Sequence, residues 1–372
     1  MNEYYNKDRN IYFGGTMKDT KVAIIGQGRS GRDIHGAFLK SENNKFFEVV
    51  AVVELDEQRR SRALEEYPGC TVYSSYTELF ERDDIDFVIN ATLSNDHYAI
   101  TKDLILHGLN VLVEKPMARN RYECDDLIRC ANEKGVILAV FQQSFFAPFY
   151  IFAKELCESG KLGDVKQINI SYNAFARRWD WQTLQCRMAG SIYNTGPHPI
   201  GFALGFLGFD DNAEVRFSRI DTAITSGDAE DYAKIIITAP GKPVIDVEMI
   251  SIDAYPETTI KIMGTKGTFK SSTTEYEMKY IIDGENVTRP VVFDSLKDEN
   301  GYPIYCSEKL EMHEESGKFD GTAFDIGTRS MYEMIRDRIK NGTPFTVTPE
   351  MASKIIGVIE KVHAENPLPV LY

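Results

Sequence analysis

The chain has 372 residues, with 42 Lys and Arg against 56 Asp and Glu, a formal net charge of −14 at pH 7. Surplus carboxylate repels phosphate backbones and anionic lipid, so nucleic acid and membrane surfaces are not expected partners. With 43% hydrophobic and 26% charged residues the chain is globular rather than disordered, and no apolar run approaches the ~20 residues that span a bilayer.

At ~150 residues per domain, two domains or three are expected. Residues 1–16 lack the apolar core of a signal peptide and carry Glu3, Lys7, Asp8 and Arg9. They are read as a poorly ordered leader ahead of Met17. Six cysteines form no C-x-x-C pair and read as reduced thiols of a cytoplasmic protein.

From residue 21, short apolar runs alternate with helix-length stretches. The runs at 22–25, 49–53, 87–89, 111–113 and 136–140 are rich in β-branched residues and lack polar alternation, as in strands buried on both faces of a parallel sheet. Helices are expected at 57–66, 96–107 and 121–134. This repetition predicts a doubly wound, Rossmann-type α/β domain over residues 17–141.

Gly26-Gln27-Gly28-Arg29-Ser30-Gly31 fits G-x-G-x-x-G between the first strand and a helical stretch. The pattern needs glycine because a side chain would keep the backbone from a diphosphate, and the helix start presents N–H groups to that charge. Gly26, Gly28, Arg29, Ser30 and Gly31 are therefore candidate cofactor-binding residues. Glu54 ends the next strand, 23 residues after Gly31. A carboxylate there accepts hydrogen bonds from a ribose diol and repels a 2′-phosphate, favouring NAD over NADP. Arg59 and Arg60 could serve a phosphate instead, but read as the exposed face of the following helix.

Val111 to Pro116 place Lys115 at the C-terminal end of a buried strand, where open α/β sheets bind ligands. An ammonium there can polarise a carbonyl or stabilise a developing alkoxide. Pro116 fixes the backbone, and a cis Lys115–Pro116 bond is possible.

Beyond a boundary at about 141–148 the pattern changes. A helix is expected at 149–159, then strands at 165–172, 215–223, 233–238, 244–252 and 259–263, which predict a largely antiparallel sheet. Two late helices follow at 324–340 and 349–365, the second capped by Thr348 with Pro349 in its first turn. The acidic run 311–315 reads as solvated surface. Both tryptophans lie in Arg177-Arg178-Trp179-Asp180-Trp181-Gln182. Aromatic faces suit a sugar ring and Arg suits its hydroxyls, so Arg178, Trp179 and Trp181 are candidate substrate-binding residues. No metal-ligand spacing and no nucleophile elbow stand out.

The glycine turn, the acidic strand end, Asn90-Ala91-Thr92 with His97 downstream, and Glu114-Lys115-Pro116 together resemble the glucose–fructose oxidoreductase/inositol dehydrogenase (Gfo/Idh/MocA) family. The resemblance is strong over about 21–141 and moderate over 156–208 and 262–268. It implies a nicotinamide-binding domain followed by an α+β domain, residues 142–372, with a large, mostly antiparallel open sheet. It implies that Thr92, His97, Glu114 and Lys115 join the cofactor-binding set. It also implies oxidation or reduction of a sugar, cyclitol or related polyol beside Lys115. Leu93-Ser94 departs from the Pro and small residue common in the family.

In Gly190 to Gly201 the resembling motif places an Asp and a His around the substrate; here these positions are Asn194 and His198, and a later Asp is Gly201. Asn can orient an imidazole but cannot raise its basicity as Asp does. Lys115, His198 and Asn194 are thus the expected catalytic group, with Asn194 and His198 also touching substrate. The expected activity is NAD-dependent hydride transfer. Two alternatives are a family member that cleaves a glycosidic bond by transient oxidation with tightly held NAD, and a non-catalytic sensor. The open sheet predicts a homodimer or homotetramer.

Overall fold

The computed structural model describes residues 18–256 and 258–372; the expected leader and Met17 lie outside them. The first sheet has six parallel strands: β1 (Thr20–Ile25), β2 (Phe47–Val53), β3 (Thr71–Tyr73), β4 (Phe87–Asn90), β5 (Val111–Val113) and β6 (Leu138–Val140). Their order is β3-β2-β1-β4-β5-β6. The chain reverses direction across the sheet between β1 and β4, and the crevice outside those strand ends is where such sheets take ligands. The glycine turn follows β1, Thr92 follows β4 and Lys115 follows β5, so the topology gathers all three there.

The expected five strands are six. β3 was missed because it has three residues, none of them fully buried, and so offers no apolar run. The helices Glu57–Glu66 and Arg121–Lys134 fall where their signals are. The Asp56 side chain accepts from the Arg59 N–H, Asn120 accepts from Glu123 N–H, and Gly135 ends the second helix at φ 67°.

The second sheet holds β7 (Val165–Ser171), β8 (Glu214–Asp221), β9 (Tyr232–Thr238), β10 (Val244–Ile250), β11 (Ile260–Gly264), β12 (Gly267–Ser271), β13 (Glu275–Tyr280) and β14 (His313–Lys318), in the order β14-β13-β12-β11-β7-β10-β9-β8. All neighbours are antiparallel except β7 and β10. The last three strands were not anticipated. β13 and β14 carry charged or polar residues at most positions, so the period-2 apolar signal is absent; the acidic run 311–315 is solvent-facing as expected, with residues 313–315 forming part of the exposed strand β14. Inward residues such as Ile168, Ile170, Ile235, Val247, Ile262 and Phe269 share a core with the helices Pro148–Ser159 and Pro199–Phe206. The other face carries Lys234 between Asp246 and Glu248, at 2.7 and 2.6 Å.

The late helices tie the two sheets together. Thr328–Asn341 sends Met331, Tyr332 and Ile335 into the first sheet's core beside Phe38, Phe47, Phe87 and Phe141. Pro349–Glu365, capped by the Thr348 side chain, packs on Arg121–Lys134 and on Pro199–Phe206. No helix among the described residues is long and apolar enough to cross a membrane.

Candidate active site

The glycine turn divides its labour. Gly26 has φ 93°, and a Cβ there or on Gly31 would collide with backbone: the Ala91 carbonyl for Gly26, the Gly26 carbonyl for Gly31. These two glycines let the turn pack against β4. Gly28 differs, since an added Cβ would meet nothing within 4 Å. Its backbone borders open space, into which a diphosphate can come close. The chain then winds through a π-helical turn, Arg29–His35, whose first N–H groups have no partner within the turn. Arg29 is exposed and Ser30 half-buried.

Glu54 stands at the lip of this turn. Its carboxylate accepts the Gln27 N–H at 2.7 Å and the Asp56 N–H at 3.1 Å. Arg59 Nη1 lies 3.6 Å from the Glu54 carboxylate. Arg60 does not sit on an exposed face as expected: it folds back to donate to the Glu54 and Leu55 carbonyls at 2.6 and 2.7 Å.

Glu114 is buried, and its carboxylate takes His35 Nε2 at 3.2 Å and the Lys115 N–H at 3.0 Å. The other nitrogen of His35 meets the Tyr332 hydroxyl at 2.8 Å. A polar chain thus runs from the helix Thr328–Asn341 to the residue before Lys115. Burial opposes the charge on Glu114, yet His35 and Lys115 hold its carboxyl below the usual range. Thr92 donates to Asn90 Oδ1 at 2.7 Å. His97 is buried between the Pro116 carbonyl at 2.7 Å and the Thr92 carbonyl at 3.3 Å. Burial pushes its imidazole down, so it braces the turn around the cis Lys115–Pro116 peptide.

Lys115 Nζ donates to the Asn194 carbonyl at 2.9 Å. Burial pushes its ammonium below the ordinary lysine range; Arg29 and Arg178 push the same way, and Glu114 opposes them. His198 Nδ1 pairs with Ser144 Oγ at 2.9 Å. Burial, aided by Lys115, lowers its pKa to about 3, so the imidazole is neutral at pH 7. Asn194 does not bond His198. Its amide donates to the Gln182 carbonyl at 3.0 Å, a contact that an Asp could not make. The partner that orients His198 is Ser144.

The segment carrying these residues is anchored by Glu230, which is buried and accepts the Ile192 N–H at 2.9 Å and lies 3.3 Å from His363 Nε2. Arg178 reaches Asp180 at 2.8 Å and also bonds the Gln182 side chain. Asp180 caps the turn Trp181–Thr183. Trp181 is half-buried, whereas Trp179 is 81% exposed. The structure therefore links Lys115, Asn194 and Arg178 through hydrogen bonds, sets His198 within electrostatic reach of Lys115, and leaves Trp179 in solvent. Sequence reasoning missed Ser144, His35, Tyr332 and Glu230. Only His35 had a signal, its place on the turn after the third glycine.

The family model described as an oxidoreductase family with an NAD-binding Rossmann fold, GFO_IDH_MocA, matches residues 20–142, and the GFO/IDH/MocA C-terminal domain matches 150–270. The chain belongs to the Gfo/Idh/MocA oxidoreductase family. An uncharacterised oxidoreductase of Schizosaccharomyces pombe is 28% identical to it over 260 residues, 68% of this chain and 70% of that one. The scyllo-inositol 2-dehydrogenase (NADP+) IolW of Bacillus subtilis is 30% identical over 190 residues, 50% of this chain and 52% of that one. Among solved structures, GenD2 from gentamicin A biosynthesis, in complex with NAD, has a TM-score of 0.74 at 20% identity, covering 95% of this chain and 96% of that one. At that identity the likeness speaks to the fold, a parallel Rossmann-like sheet followed by a mostly antiparallel one. This family member is an oxidoreductase with an NAD-binding domain.

Proposed function

We propose that the protein transfers hydride between a nicotinamide dinucleotide and a hydroxyl-bearing carbon of a sugar, cyclitol or related polyol. The observation that carries this reading is the juxtaposition at the crevice: a lysine with lowered basicity, hung on the Asn194 carbonyl, beside a neutral histidine fixed by Ser144. The residues present fit a dinucleotide, because Gly28 leaves open space at the turn and Glu54 is held at its lip. Gly26 to Gly31 would hold the diphosphate and Glu54 the adenosine ribose, which favours NAD, although the relative IolW is named for NADP. That relative's name also supports the cyclitol class.

The bound dinucleotide supplies or accepts hydride. Lys115 hydrogen-bonds the substrate oxygen and stabilises the negative charge that develops there. Its depressed pKa eases proton exchange with that oxygen near neutral pH. With Nδ1 engaged by Ser144, His198 turns Nε2 to the substrate as a second hydrogen-bonding group. Thr92, His97 and Glu114 act by shaping the turn that carries Lys115, and Trp181 offers a wall to the ring. The open face of the second sheet would pair with a second copy, in a homodimer or homotetramer. Following reduced-nicotinamide absorbance with NAD or NADP across a panel of sugars and inositols tests the reading. Turnover with NAD is expected, and bound nucleotide with no turnover of any member would overturn it.

A further inference from the structure

The charges around Lys115 narrow the polyol class of substrate, and the narrower class rests on that polyol reading. The chain as a whole carries −14, yet apart from Glu114, whose carboxylate is buried on His35 and the Lys115 N–H, the charged groups that act on Lys115 are the cations Arg29 and Arg178. Arg178 connects to Lys115 through two shared partners. Its Nη2 bonds the Gln182 side chain, the Gln182 carbonyl accepts the Asn194 amide at 3.0 Å, and the Asn194 carbonyl accepts Lys115 Nζ at 2.9 Å. Asp180 and Gln182 grip the guanidinium from Nη2 alone. Its Nε and Nη1 have no partner among the described residues. The side chains of Arg29 and Arg177, on the glycine turn and beside Arg178, likewise have no hydrogen bond or ion pair among the described residues. Arg29, which follows Gly28 on the glycine turn, would serve the diphosphate of a seated dinucleotide, leaving Arg178 as the cation for the substrate.

The nearby carboxylates are spent elsewhere. Glu114 is buried on His35, Glu230 is buried on Ile192 and His363, and Asp180 is divided between Arg178 and the Gln182 N–H. His198 and Asn194 are neutral. Asn194 stands where the resembling motif has Asp, so the repulsion an anionic substrate would meet there is absent. A neutral sugar would leave Arg178 facing hydroxyls, whereas anionic oxygens form charge-assisted bonds about twice as strong.

We propose that the natural substrate is an acidic sugar, cyclitol or polyol, bearing a carboxylate or phosphate that Arg178 receives while Lys115 meets the reacting oxygen.

The test is calorimetric titration of the NAD-loaded protein with matched sets: aldohexoses, the corresponding uronic acids and the 6-phosphates, each also assayed by absorbance. The structure predicts that at least one acid binds at least about tenfold more tightly than its neutral counterpart. Arg178→Gln removes roughly 10- to 100-fold of that affinity, the scale of a hydrogen bond to a charged group, and Arg178→Lys retains part of it; neutral members lose clearly less than the acids, and NAD affinity is unchanged. The uronic-acid and phosphate arms tell the two sources of charge apart. Turnover of neutral members with every acid refused, no acid preference anywhere in the panel, or equal losses for neutral and acidic members in Arg178→Gln would overturn the proposal while leaving hydride transfer standing. An acid that binds through Arg178 with no absorbance change would instead uphold the acidic ligand and count against hydride transfer.

Discussion

Glu114→Gln isolates the one group that holds the Lys115 charge up. Glu114 is the sole raising influence on Lys115, against burial, Arg29 and Arg178. Gln is nearly isosteric, and its side-chain oxygen can still accept the Lys115 N–H that Glu114 accepts at 3.0 Å. What disappears is a full negative charge one residue from the ammonium. An opposite charge within ~4–6 Å typically shifts a pKa by about 1–3 units, so the already depressed Lys115 pKa falls further by that order. If protonated Lys115 supports catalysis, the alkaline limb of the kcat/KM profile reports its pKa in the free enzyme. In Glu114→Gln that limb moves to lower pH by about 1–3 units, and activity at pH 8 falls more than at pH 6. An alkaline limb that stays in place, or moves upward, would refute the assignment of Lys115 as the titrating acid.

Two glycines should respond in opposite ways. Gly28→Val, whose new side chain enters open space, leaves Tm within a few degrees but abolishes nucleotide binding by calorimetry, whereas Gly31→Ala, which drives a Cβ onto the Gly26 carbonyl, lowers Tm itself. Ser144→Ala frees His198 Nδ1, with which it pairs at 2.9 Å; kcat is expected to fall about 10-fold or more with nucleotide affinity unchanged, and Ser144→Thr to recover part of the loss. His198 has a pKa lowered to about 3 against about 6.5 when unfolded, so the unfolded chain binds the extra proton between those values. Stability is then lost as pH falls from ~6.5 towards 3, and the Tm of His198→Gln should decline less steeply over that range than that of the wild type.

The main strands of the first sheet were legible because buried parallel strands write themselves as unbroken apolar, β-branched runs, and β1, β2, β4, β5 and β6 all do. Strand β3 has no such run. β12 pairs with β11 across a two-residue turn, Thr265 and Lys266, and β13 and β14 expose charged side chains, so their strand character comes from pairing rather than from local pattern. The site followed the same division. Lys115 and the glycines announce themselves by position at strand ends. Ser144 meets His198 across 54 residues, and Tyr332 meets His35 across 297; contacts at such separations leave no trace in either segment. That Asn194 does not bond His198 was hidden for a related reason. Its amide partner is a backbone carbonyl, that of Gln182, which no side-chain pattern marks.

The reaction assigned here depends on one ammonium, and Lys115→Met removes it while keeping an unbranched side chain of similar length. Single-turnover absorbance at saturating NAD and substrate should show hydride transfer slowed about 10²- to 10⁴-fold, the usual scale for a lost acid–base group, with the dissociation constant for NAD within about threefold of wild type. Hydride transfer within a few-fold of the wild-type rate would contradict the account.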